Sequence, residues 1–114
     1  AALFDATTTT PPFWKGNNAS TWKAHCLAVN GFDLDMGYGG EARALGERLV
    51  NAGLRGVQIR HRAPVIHLEH GRGYMDPAII ARNHEIRARI RRGRETRARL
   101  GLAELDAGAA RTAP

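Results

Sequence analysis

The chain has 114 residues, a net charge of +6 and 43% hydrophobic residues. That is an ordinary globular composition with room for one domain. Cys26 is the lone cysteine, which excludes a disulfide scaffold and a four-cysteine zinc site. No apolar run approaches the ~20 residues of a membrane span, and the start lacks a secretory signal pattern, so the expectation is a soluble chain in a reducing, cytoplasmic compartment.

Residues 1–13 read as an extended arm, because four threonines lead into Pro11 and Pro12. Residues 14–36 mix turn residues with a short apolar stretch. One helical turn fits His25 to Val29, and Asn30-Gly31 breaks it. Gly37-Tyr38-Gly39-Gly40 is a loop whose three glycines let the backbone pass close to something large. A helix is predicted over 41–52, with Leu45, Leu49 and Val50 on one face. Glu41 falls in its first turn, where a carboxylate suits the helix dipole, and Gly53 is a natural stop.

Residues 57–62 alternate apolar and polar side chains, the pattern of a strand with one wet face. After Pro64, residues 65–70 form a second extended segment with His67 and His70 on opposite faces. Asp76 and Pro77 then open a long helix, predicted to run to about residue 100. It carries a stripe of Ile79, Asn83, Ile86 and Ile90, and eight arginines between Arg82 and Arg99. Residues 106–114 read as a frayed tail. The resulting fold class is α+β: a small sheet plus two helices, with residues 14–105 as the folded body.

A carboxylate at a helix start, as in Glu41, is a candidate base or hydroxyl acceptor. Two histidines three apart on an extended segment do not easily bind one ion together. The order of motifs adds to this. Val29-Asn30-Gly31-Phe32-Asp33 is followed by Gly37-Tyr38-Gly39-Gly40-Glu41, then Arg48-Leu49 and Gly53, then His67-Leu68-Glu69-His70. This series resembles the C-terminal, acceptor-side half of a glycosyltransferase domain of family 2 and the beta-1,4-galactosyltransferase-like group. Gly16-Asn17-Asn18-Ala19-Ser20 and Asn83 also resemble motifs of those enzymes.

The resemblance implies a GT-A mixed α/β fold. It also implies transfer of a hexose or N-acetylhexosamine from a nucleotide diphosphate sugar to a glycan acceptor, with inversion the usual outcome, as in polysaccharide biosynthesis. Tyr38, Gly39, Gly40 and Glu41 would line the acceptor site, with Glu41 as the catalytic group. His67 or His70 would bind Mn²⁺ or Mg²⁺. The family commonly has Asp after the glutamate. Ala42 stands there and cannot take a proton, so either Glu41 takes that role or this copy is impaired. The family's nucleotide-binding half has no counterpart in these residues, so the expectation is a part of a longer enzyme, inactive alone.

Two rival classes remain. The arginines could form a basic face for an anionic membrane or polysaccharide, or for nucleic acid, although they spread around the helix and no DNA-binding motif accompanies them. The chain could equally be a structural, self-associating piece that covers exposed apolar surface by forming a dimer.

Overall fold

The computed structural model describes residues 1–112. It has five helices: α1 (Ala2–Thr7), α2 (Lys23–Ala28), α3 (Glu41–Asn51), α4 (Pro77–Gly93) and α5 (Leu102–Thr112). No strand occurs among the described residues, which overturns the expected α+β fold with its small sheet. Residues 54–59 and 64–70 keep irregular, non-helical backbone without pairing to a neighbour. The alternating pattern was present, but a strand exists only where a second strand takes its hydrogen bonds.

The helical expectations fare better. Helix α3 begins at Glu41 behind Gly40, whose φ of 102° places it in the left-handed region. Helix α4 starts where the sequence places it: the Asp76 carboxylate accepts from the amides of Ala78 and Ile79, with Pro77 in the first turn. Its end comes earlier than residue 100. Gly93 closes the helix and Arg94 turns left-handed at φ 49°. The arm contains a short helix, α1, and the expected tail is helical as far as Thr112. The last two residues of that tail lie outside the described residues.

Helix α3 packs against α4 and divides the core. On one side Ala44 meets Met36, Ile86 and Ile90. On the other, Leu45 and Leu49 meet Val29, with Trp14 and Leu54 laid against them. The Trp14 side chain crosses α3 so closely at Gly46 that a Cβ there would collide with it. Gly101 is similarly constrained, because a Cβ would fall on the Asn30 carbonyl. The Asn30 side chain explains that contact. It donates to the Ala98 carbonyl and the Glu104 carboxylate and accepts from the Ala103 amide. No helix among the described residues is long and apolar enough to cross a membrane.

Candidate functional site

The glycine loop is built from behind. Asn83 is fully buried on α4, and its Nδ2 donates to the carbonyls of Gly37 at 2.8 Å and Gly39 at 3.0 Å. The large neighbour that the glycines admit is α4 itself. A Cβ on Gly39, which has φ 113°, would sit 2.7 Å from the Ile80 side chain. The loop is therefore pinned against the start of α4 by an amide on one side and two isoleucines on the other.

Glu41 opens α3, and its Oε2 accepts from the Gly39 amide at 2.6 Å. The carboxylate thus holds the loop's last turn. Tyr38 points outward, about half exposed, and meets Tyr74 edge-on at 4.7 Å between ring centres. Tyr74 in turn stacks on His70 at 6.2 Å, and His70 lies 5.5 Å from His67. The hydrogen bond with Tyr38, and secondly burial, push the Tyr74 phenol above its ordinary pKa.

The two imidazoles therefore sit side by side rather than on opposite faces. The opposite-face argument required an ideal strand, and residues 64–70 are not one. His70 places Nδ1 2.9 Å from the Gly71 carbonyl. With Nδ1 donating, Nε2 carries the ring's lone pair, as in many metal-bound histidines. No group of three metal-ligating side chains gathers among the described residues.

The other motifs are tied together inside the fold. Arg48 is fully buried, and its Nη2 donates to the Gly31 carbonyl at 2.5 Å. Its Nε and Nη1 have no hydrogen-bond partner among the described residues. Burial lowers its pKa, and the charges of Asp33, Glu47 and Glu95 oppose that shift. Asp33-Leu34-Asp35 has the spelling of a metal motif but works as a turn: Asp33 accepts from the Asp35 amide, and Asp35 pairs with Arg82.

No family model matches this chain, and no curated protein or solved structure does. The family resemblance thus rests on the motif residues themselves.

Two hollows lie elsewhere, and neither Glu41 nor either histidine lines them. The larger, about 560 Å³, is bounded by Trp14, Leu49, Val50, Leu54 and Val57, with Asn18 and Ser20 on its wall. The smaller, about 340 Å³, adjoins it along residues 58–65. The sequence reading missed both. Trp14 beside the alternating stretch at 57–59 was the available signal. Most arginines of α4 and beyond are paired, six of them sharing the four carboxylates of Asp35, Glu47, Glu95 and Glu104. Arg82, Arg87, Arg89, Arg91, Arg97 and Arg99 each form an ion pair.

Proposed function

We propose that this chain is the acceptor-side part of a metal-dependent glycosyltransferase. It would move a hexose or N-acetylhexosamine from a nucleotide diphosphate sugar to a glycan. One observation supports this reading above the others: motifs far apart in sequence are bonded to one another. Arg48 holds the Asn30-Gly31 turn, Asn83 holds the glycine loop, and Tyr38 reaches the histidine segment through Tyr74.

In this reading the acceptor sugar lies against Tyr38, whose ring offers an apolar face. Glu41 takes the proton of the acceptor hydroxyl. That oxygen then bonds to the donor's anomeric carbon, and the bond to the nucleotide diphosphate breaks. His67 or His70 would hold the metal, and when bound, Mn²⁺ or Mg²⁺ supplies positive charge against the departing diphosphate. The remaining ligands, and the nucleotide-binding surface, belong to polypeptide beyond these residues. The lone cysteine fits a reducing, cytoplasmic setting. A basic binding module has less support, because six of the eight arginines between 82 and 99 already face carboxylates.

The test uses the full polypeptide carrying this segment and a panel of nucleotide diphosphate sugars. Glu41→Gln should lower turnover by ~10²-fold or more while donor affinity holds. Unchanged turnover would remove Glu41 from the mechanism. No sugar transfer by the unmodified protein would remove the reading.

A further inference from the structure

The stretch 54–59 has the composition of a strand, an irregular, non-helical backbone and no strand beside it. In its middle, Arg55, Gly56 and Val57 make no main-chain hydrogen bond to any described residue. The N-terminal arm lies beside this stretch, with Pro12 packed against Gly56, but it takes none of the main-chain bonds of 55–57. Thr10 takes side-chain bonds from Gln58 and Arg60, and Asp5 takes the His61 amide and the Arg62 side chain. The Gln58 carbonyl takes the Arg62 guanidinium at 3.5 Å, so the groups left open are the main chain of Arg55, Gly56 and Val57 and the Gln58 amide. The edge stops at Ile59, whose carbonyl is used by the amides of Arg62 and Ala63.

Beside this edge lies the 560 Å³ hollow, floored by Trp14, Leu49 and Leu54 and flanked by Val50 and Val57, which are 59% and 64% exposed. An edge of free amides next to an apolar trough is the arrangement that receives an added strand. Main-chain bonds would hold the strand, and every second side chain would enter the trough.

We propose that residues 55–58 accept a β strand from a partner polypeptide that is apolar at alternate positions and acidic at both ends. Charge selects that occupant. Arg55 and Arg60 stand at the two ends of the edge, and Lys15 adjoins Arg60 in the neighbouring hollow. The carboxylate on the trough wall, Glu47, is already shared by Arg87 and Arg91. A second copy of this chain fits less well. Antiparallel self-pairing of 55–58 sets Arg55 against Gln58 and leaves it without a carboxylate, and parallel pairing stacks arginine on arginine. The inference does not depend on sugar transfer.

Amide hydrogen exchange by NMR on the whole chain tests it, with two synthetic peptides as probes. Both have an alternating Val-Thr centre; one has Glu-Asp ends and the other Lys ends. The acidic peptide should slow exchange at Gly56, Val57 and Gln58 by about tenfold or more while core amides of α3 and α4 stay unchanged. Added salt should weaken the effect. In the double variant Arg55→Glu, Arg60→Glu the preference should pass to the Lys-ended peptide. No slowing by either peptide overturns the proposal, as does equal slowing by both. Slowing without peptide that grows with protein concentration would assign the edge to a second copy and overturn it too.

Discussion

Ile90 and Ile66 are the same side chain in two regions of one molecule, and they differ almost completely: Ile90 is 1% exposed on α4, Ile66 91% exposed in the stretch before it. Every residue from 64 to 79 is exposed, whereas α3 and α4 together carry most of the core. A helix closes its hydrogen bonds within its own few turns and needs a neighbour only for its apolar face. A strand needs a neighbour for both its apolar face and its backbone. The same apolar content therefore gives a packed pair of helices in one place and an unpartnered ribbon in the other.

The contrast can be broken at its extremes. Ile90→Ala should cost ~2–5 kcal/mol in urea unfolding, because the site is enclosed by Met36, Ala44 and Ile86. Ile66→Ala should change the same measurement by less than ~0.5 kcal/mol. Equal effects would mean that the exposed stretch is packed in solution. Asn83→Ala should cost ~1–3 kcal/mol, since it leaves two loop carbonyls unpaired beneath α4. It should also raise amide exchange in the glycine loop before the rest of α3 responds. The smallest effect is a pH dependence. Amide bonds from Gly101 and then Asn30, with Arg97 behind them, hold the Glu104 carboxyl at about 2. A lowered pKa stabilises the fold above the ordinary carboxylate value of ~4.3, and that contribution disappears as pH falls toward 2. Thermal unfolding across this window should lose part of its slope in Glu104→Gln.

What could be read from the sequence was whatever is decided within a few residues. The start of α4 is local chemistry: an Asp cap and a Pro in the first turn. The apolar spacing of α3 is likewise local, and both elements begin where the pattern puts them. The sheet was not legible, because alternation at 57–62 states what a strand would present and not whether anything pairs with it. Helix α5 was missed for a related reason. Its start depends on Glu104 accepting from the Gly101 amide and on Asn30, 73 positions away in the chain, accepting from Ala103. Of the candidate site, the glycine loop's need for close approach was legible, but its neighbour was not. The glycines make room for α4, and Asn83, placed in the sequence on a helix stripe and among the motif residues but not against the loop, is the residue that fixes it.

The arginines carry one more lesson. Glu47 holds Arg87 and Arg91, and Glu95 holds Arg89 and Arg99. Each of these two carboxylates is shared by two guanidinium groups, so together they cancel half of the four charges they hold in place. A single neutralising change at either glutamate would free two guanidinium groups at once and raise the local positive charge by one, drawing polyanions more strongly to that surface.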